Sequence, residues 1–137
     1  MLSCAAGRGG VLLVVGLGID IVELDRVARS LERWGGRLLA RIMDPEEAAR
    51  LPPGSADRVH AVALAIAGKE AASKALGTGW TRGVYWRDVV VSAGPPASVR
   101  LRGGAAATAR RLGSRGEAQA LLELRGELAL GEVRLLA

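Results

Sequence analysis

A helical pattern runs without interruption from Asp57 to Leu76, and it is the longest regular element that the sequence predicts. Alanine, the strongest helix former, fills much of this stretch. Gly77 follows at the position where a left-handed residue commonly ends a helix. No other predicted element approaches this length, so the remaining elements of the 137-residue chain are short. A chain of this size most often forms one domain.

Three predicted features precede the long helix. Leu12–Ile19 is rich in Leu and β-branched residues and predicts a buried strand, whose glycines indicate close approach to another backbone or to a ligand. The spacing of Leu24, Val27 and Leu31 predicts an amphipathic helix that continues to Trp34 and Gly35. Its polar face carries Arg26, Arg29, Glu32, Arg33 and Arg37. A short helical turn begins at Asp44, which caps it ahead of a proline.

After the long helix the pattern predicts strands at Tyr85–Ser92 and Ser98–Arg102, and a short helix at Ala105–Leu112. A final hairpin is predicted from Ala118–Leu124 and Leu128–Leu136. The predicted fold class is therefore α+β: a single domain over residues 11–137, with helices packed on one side of a mainly antiparallel sheet. Residues 1–10 are predicted to form a flexible leader.

Composition narrows the possible functions. The net charge of +5 favours phosphates or acidic partners without choosing between them. Aromatic residues make up only 3% of the chain and basic residues are scattered, which argues against a nucleic-acid-binding domain. One cysteine and one histidine cannot supply the four ligands of a structural zinc site. The unpaired cysteine predicts a cytoplasmic protein, and no apolar run near the start is long enough to span a membrane.

Three side chains are candidates for chemistry. Asp20 directly follows the predicted first strand, where it is either a helix cap or a functional carboxylate. Glu70 and Lys74 lie four residues apart on one face of the long helix, as either a surface ion pair or a functional pair. The apolar stretch before them places Glu70 near the core. An Asp at a strand end and a Glu on a helix could together hold one Mg²⁺, while Lys74 could offset phosphate charge or accept a proton.

Two segments in this order resemble the signature motifs of the holo-acyl-carrier-protein synthases, the small-type 4′-phosphopantetheinyl transferases. These segments are Gly16-Leu17-Gly18-Ile19-Asp20-Ile21-Val22-Glu23 and Lys69-Glu70-Ala71-Ala72-Ser73-Lys74-Ala75-Leu76-Gly77-Thr78-Gly79. Arg41-Ile42-Met43-Asp44 and Asp88 are further features similar to the family. The resemblance implies an enzyme that moves the phosphopantetheine arm of coenzyme A onto a serine of an apo acyl carrier protein and releases 3′,5′-ADP.

The resemblance also implies roles for individual residues. Asp20 and Glu70 would bind Mg²⁺ together with the pyrophosphate of coenzyme A, and Glu70 and Lys74 would be the catalytic residues. Coenzyme A would contact Lys69, Lys74, Gly77, Thr78 and Gly79. The acidic recognition helix of the carrier protein would meet Arg26, Arg33 and Arg37. The family commonly forms homotrimers with active sites in the clefts between subunits, so a homotrimer is expected.

The sequence departs from the family pattern in three places. Ala65 stands where the family usually has Arg, and Gly68 stands where it usually has Ala. Leu121-Leu122-Glu123-Leu124-Arg125 occupies the strand that normally reads Ser-x-Ser-His. Because those missing groups are expected to help bind the nucleotide end of coenzyme A, a second hypothesis stays open. It is a homologue without transferase activity that binds a carrier protein as a scaffold or acts on a carrier-bound intermediate.

Overall fold

The computed structural model describes residues 13–137, so the predicted leader at 1–10 and the first residue of the predicted strand lie outside it. The elements follow one another in the order β1 (Val14–Glu23), α1 (Leu24–Trp34), α2 (Gly36–Ile42), α3 (Pro45–Ala49), α4 (Ser55–Leu76), a 3₁₀ turn (Trp86–Asp88), β2 (Val89–Ser92), β3 (Ser98–Leu101), α5 (Gly103–Arg111), β4 (Glu117–Arg125) and β5 (Leu128–Leu136).

The five strands form one antiparallel sheet in the order β1-β5-β4-β3-β2. The first strand pairs with the last along its whole length, from Val14 opposite Leu136 to Glu23 opposite Leu128. The predicted α+β class and antiparallel sheet are confirmed. No helix among residues 13–137 is long and apolar enough to cross a membrane.

Helix α4 lies directly on the backbone of β1 and β5, and glycines make this possible. A Cβ atom at Gly18 would overlap the carbonyl oxygen of Ala71, and one at Gly131 would lie 2.5 Å from that of Ala67. Gly16 meets Ala75 in the same way. The predicted close approach at the glycines of β1 is therefore an approach to the backbone of α4.

Two groups of buried side chains hold the helices in place. One lies between the sheet, the C-terminal half of α4 and α5, and contains Ala72, Val89, Ala105, Val133 and Leu135 among others. The other lies between the N-terminal half of α4 and helices α1 to α3, and includes Val27, Ile42 and Val62. Helix α4 contributes to both groups, which explains why its side chains are apolar on most of its circumference.

Several predicted boundaries were wrong. Asp20 lies inside β1 rather than after it, and Glu23 occupies the N-cap position of α1, so Asp20 does not cap the helix. The first helix does end at Trp34 as predicted, where Gly35 adopts a positive φ of 49°, but the prediction placed Arg37 on the same helix. Arg37 instead lies on α2, a separate helix. Residues 86–88, predicted as strand, form the 3₁₀ turn.

Other local predictions are confirmed. Asp44 caps α3, and its carboxylate accepts a hydrogen bond from the Glu46 amide at 2.9 Å. Helix α4 begins at Ser55, two residues before the predicted start, and ends before Gly77, which adopts a φ of 75°. The final hairpin has the predicted strands with small changes at the ends of the first of them.

Gly18→Ala tests the contact between α4 and the sheet. The added methyl group must push α4 away from β1, so we expect the free energy of unfolding to fall by about 3 kcal/mol. Gly36→Ala is the matched control, since a Cβ there meets nothing within 4 Å, and its effect should stay within about 0.5 kcal/mol. Urea unfolding of both variants measures the difference, and equal losses would contradict the proposed packing.

Candidate active site

The alternation of side chains along β1 brings Asp20 to α4. Residues with even numbers from Gly16 to Val22 face the helix, while Leu17, Ile19 and Ile21 are exposed on the opposite face. The Lys74 ammonium donates to Asp20 Oδ1 at 2.8 Å and to the Ile19 carbonyl oxygen at 3.1 Å. A strand carboxylate and a helix ammonium that are 54 residues apart thus form an ion pair.

Asp20 and Glu70 line one cleft between β1, α1 and α4. The cleft has a volume of about 370 Å³, and its other lining residues are Ile21, Val22, Glu23, Arg26, Val27, Ser30, Leu38 and Ile66. Within residues 13–137 the Glu70 side chain makes no ion pair or hydrogen bond, whereas Asp20 Oδ1 is engaged by Lys74. The carboxylate of Glu70 is therefore available to a ligand in the cleft.

The two carboxylates of this cleft fit Mg²⁺ better than Zn²⁺. In the described part of the chain no three His, Cys, Asp or Glu side chains are grouped to hold a metal ion. Zinc sites need three or four protein ligands of that kind. Two carboxylates facing an open cleft are instead what Mg²⁺ uses, because it keeps several waters and often completes its shell with phosphate oxygens.

Residues 77–79 follow α4 directly, in the turn after Lys74. Gly77 and Gly79 have φ values of 75° and 56°, which glycine adopts without strain. The Gly79 amide donates to the Ser73 carbonyl at 3.3 Å, and the Thr78 hydroxyl donates to the Gly79 carbonyl at 2.9 Å. Three of the five residues predicted to contact coenzyme A therefore form one tight loop at the Lys74 end of the helix.

Lys69 is not brought to the cleft. Its side chain is fully buried, and its ammonium donates to Glu47 Oε1 at 2.8 Å, to the Trp86 carbonyl at 3.0 Å and to the Val89 carbonyl. Burial lowers the pKa of Lys69, and the charge of Glu47 acts in the opposite direction. All three N–H donors of this ammonium are used inside the protein, which leaves none to face a ligand.

Glu47 is the partner that sequence reasoning missed. It is 4% exposed, and besides Lys69 its carboxylate accepts the amides of Asp44 and Val91, each at 3.0 Å. The pair therefore ties α3, α4 and β2 together. The available signal was the spacing Asp44-x-x-Glu47 of a capping box, which predicts an inward-turned glutamate but not its lysine partner.

The three predicted partner-binding arginines are all exposed, but they occupy different places. Arg26 lines the cleft of Asp20 and Glu70. Arg37 lines a neighbouring cleft on α1 and α2. Arg33 places its guanidinium carbon 4.7 Å from the ring centre of Trp34. All three lie on α1 and α2, beside the cleft of Asp20 and Glu70.

The positions that depart from the family motifs have ordinary packing roles. Ala65 is buried. A Cβ at Gly68 would lie 3.1 Å from Val91 and 3.2 Å from Leu122, so glycine relieves a tight contact between α4 and the sheet. At the end of β4, the Arg125 guanidinium pairs with Glu123 at 3.1 Å; the Arg125 side chain is largely exposed and that of Glu123 is half-buried.

Comparison with known proteins shows the family to which this chain belongs. The family model described as the 4′-phosphopantetheinyl transferase superfamily matches residues 16–124. A holo-[acyl-carrier-protein] synthase of Solidesulfovibrio magneticus is 47% identical over 105 residues, which are 74% of this chain and 82% of the relative.

Solved structures are also similar. That of the holo-[acyl-carrier-protein] synthase of Neisseria meningitidis superposes with a TM-score of 0.75 at 26% identity, covering 90% of this chain and 98% of the other. That of Bacillus anthracis, in complex with CoA (3′,5′-ADP), has a TM-score of 0.67 at 28% identity, covering 90% and 97%. The chain belongs to the 4′-phosphopantetheinyl transferase superfamily. It is an enzyme of the holo-[acyl-carrier-protein] synthase type.

The Lys69–Glu47 pair can be tested by a double-mutant cycle. Lys69→Met leaves a buried carboxylate without its cation, so we expect the free energy of unfolding to fall by about 3 kcal/mol. Glu47→Gln should also destabilise, and the double variant should be more stable than the sum of the two losses predicts by at least about 1 kcal/mol. Strictly additive losses in urea unfolding would show that the two groups do not stabilise each other.

Proposed function

We propose that this chain transfers the 4′-phosphopantetheine arm of coenzyme A to a serine of an apo acyl carrier protein and releases 3′,5′-ADP. The observation that carries the proposal is that Asp20 and Glu70, about fifty residues apart in sequence, line one cleft, while Lys74 forms an ion pair with Asp20. Family membership supports the reaction class, and the curated relatives bear the name of this activity.

Asp20 and Glu70 would hold Mg²⁺ in this cleft. The unpaired carboxylate of Glu70 and the second oxygen of Asp20 supply two negatively charged donors, and the open cleft leaves room for waters and phosphate oxygens. When bound, the metal neutralises charge on the diphosphate of coenzyme A, which the reaction cleaves. Among the described residues no third His, Cys, Asp or Glu side chain is grouped with the two carboxylates. Mg²⁺ does not require one, because waters and phosphate oxygens fill its other positions.

Lys74 has two roles open to it in this reaction. The serine oxygen of the carrier protein forms a bond to the phosphorus next to the pantetheine, and the bond from that phosphorus to 3′,5′-ADP breaks. Lys74 would neutralise phosphate charge or take part in removing the serine proton, with Glu70 beside it on the same helix face. Phosphoryl transfer depends mainly on such positioning and charge neutralisation.

Coenzyme A would contact the loop 77–79 as well as Lys74. The loop follows the helical turn of Lys74 directly, and Lys74 is paired with Asp20 of the cleft. The loop backbone would therefore meet a diphosphate held at the cleft. Lys69 is left out of this set, because its ammonium is enclosed by Glu47 and two carbonyl groups. Its place in the motif is explained by packing.

The carrier protein would approach over α1 and α2, where Arg26, Arg33 and Arg37 are exposed. Such a surface favours an acidic partner and raises the rate of association.

A homotrimer is supported by the sheet face opposite α4, where the side chains of Leu17, Ile19, Ile21 and Leu121 are each more than half exposed. An apolar surface of this kind marks a protein interface. We place the enzyme in the cytoplasm, in keeping with its single cysteine.

A second candidate is a carrier-binding homologue without transferase activity. It is favoured by one observation: Glu123 and Arg125 stand where the family has Ser-x-Ser-His, and they pair with each other. Arg125 is thereby engaged, and the negative charge of Glu123 opposes a bound phosphate. The retained pair of carboxylates favours the transferase, because a scaffold has no use for it.

Intact-mass measurement distinguishes the two candidates. Incubation with coenzyme A, Mg²⁺ and apo carrier protein should add one phosphopantetheine group to the carrier, and chelation of the metal should abolish the addition. A carrier whose acceptor serine is replaced by alanine is the control and should remain unmodified. If several apo carriers stay unmodified in the presence of Mg²⁺, the transferase proposal fails.

Asp20→Asn and Glu70→Gln test the metal site. Each removes one negatively charged ligand, so Mg²⁺-dependent binding of coenzyme A should weaken by at least about tenfold in calorimetry while the fold is kept. Asp25→Asn is the matched control, because Asp25 is an exposed α1 carboxylate paired with Arg29. Unchanged binding by either cleft variant would show that its carboxylate does not hold the metal.

A further inference from the structure

Trp34, at the C-terminal end of α1, leaves 47% of its surface exposed. No other large apolar side chain on α1 to α3 is exposed, and a Trp indole presents a large aromatic surface with a single polar N–H. The other two tryptophans, Trp80 and Trp86, stack on each other with ring centres 4.1 Å apart and are partly buried. Packing within residues 13–137 therefore accounts for those two but not for Trp34.

The surroundings of Trp34 are basic. Arg33 lies against its ring, and Trp34 lines a cleft of about 330 Å³ together with Arg37, Leu38 and Arg41. In the described part of the chain none of the three arginines makes an ion pair. An apolar indole surrounded by free guanidinium groups suits a partner that offers an apolar side chain next to acidic ones.

Leu38 connects this cleft to the active site. Its side chain lines both the Trp34 cleft and the cleft of Asp20 and Glu70, so the two clefts share a wall. A protein whose serine enters the active-site cleft must lay the surface around that serine on the rim. The rim beyond Leu38 is the surface formed by Trp34, Arg37 and Arg41.

We propose that Trp34 is the apolar anchor of the carrier-protein docking surface and a determinant of which carrier this enzyme accepts. This inference rests on the proposed function and deepens it by assigning the acceptor protein to the Trp34 cleft. The partner segment is an acidic one in which an apolar side chain packs on the indole while carboxylates meet Arg37 and Arg41. Tryptophan and arginine are the residues that most often dominate the binding energy of such contacts.

Trp34→Ala should raise KM for the apo carrier by about tenfold, with kcat and KM for coenzyme A unchanged. Trp34→Phe should recover most of the affinity, because it restores an aromatic surface. Leu112→Ala is the matched control, since Leu112 is 41% exposed at the end of α5, and its KM for the carrier should equal that of the wild type. Thermal unfolding of each variant verifies that the fold is kept.

The salt dependence of carrier binding distinguishes the apolar contact of Trp34 from the charged contacts of the arginines around it. Between about 0.05 and about 0.5 M salt the effect of Arg37→Ala on carrier affinity should shrink, because screening already weakens that charge. The effect of Trp34→Ala should persist, since apolar contacts are not screened. A Trp34→Ala effect that disappeared with salt would overturn the assignment of an apolar anchor.

The deciding measurement is the affinity for an apo carrier whose acceptor serine is replaced by alanine, measured by calorimetry without turnover. About tenfold weaker binding by Trp34→Ala supports the inference, and wild-type affinity overturns it. Transfer by the wild type is measured separately on the unaltered carrier. Binding without transfer would overturn the proposed function while leaving the Trp34 comparison valid, and the absence of binding by the wild type would overturn both.

Discussion

The contact between α4 and the backbone of β1 and β5 determines most of what this molecule can do. Gly16, Gly18 and Gly131 carry no side chain at the points where the helix carbonyls reach the sheet, so the two elements lie closer than any other residue would allow. Because the helix is this close, Asp20, the next residue of β1 that faces it, is within hydrogen-bond distance of a side chain of α4. Its ion pair with Lys74 is the direct result.

The buried Lys69–Glu47 ion pair fixes the rotation of α4 about its own axis. Lys69 points into the core and holds Glu47, which binds α3 and β2 through backbone amides. A buried ion pair of this kind is costly unless every donor and acceptor is used, and here all of the lysine's donors are. Because neighbouring residues of a helix point about 100° apart, a buried Lys69 leaves Glu70 turned toward the cleft. The Lys69–Glu47 pair thus orients Glu70 toward the cleft without itself facing the cleft.

Much of the fold and of the site was predictable from local patterns. The length of α4, its end before Gly77 and the cap at Asp44 depend on propensities and hydrogen bonds within a few residues. The end of α1 at Trp34 agrees with the prediction, but the separate helix α2 was not predicted, because the apolar spacing continues across Gly35. The burial of Lys69 was not predictable either, because its partner Glu47 lies 22 residues away. The capping-box spacing indicates that Glu47 turns inward but does not indicate which cation it pairs with.

The amino-acid sequence by itself determined the types of most elements, the family motifs, the two carboxylates that line the cleft and the lysine that pairs with one of them. Those properties follow from residue type and spacing along the chain. Only the tertiary structure decided that Lys69 belongs to the core, that Asp20 stands within a strand facing α4, and that Leu38 lines both the cleft of Asp20 and Glu70 and the Trp34 cleft. These are relations between distant segments, and they are fixed by how closely backbones pack and by which buried charges find partners.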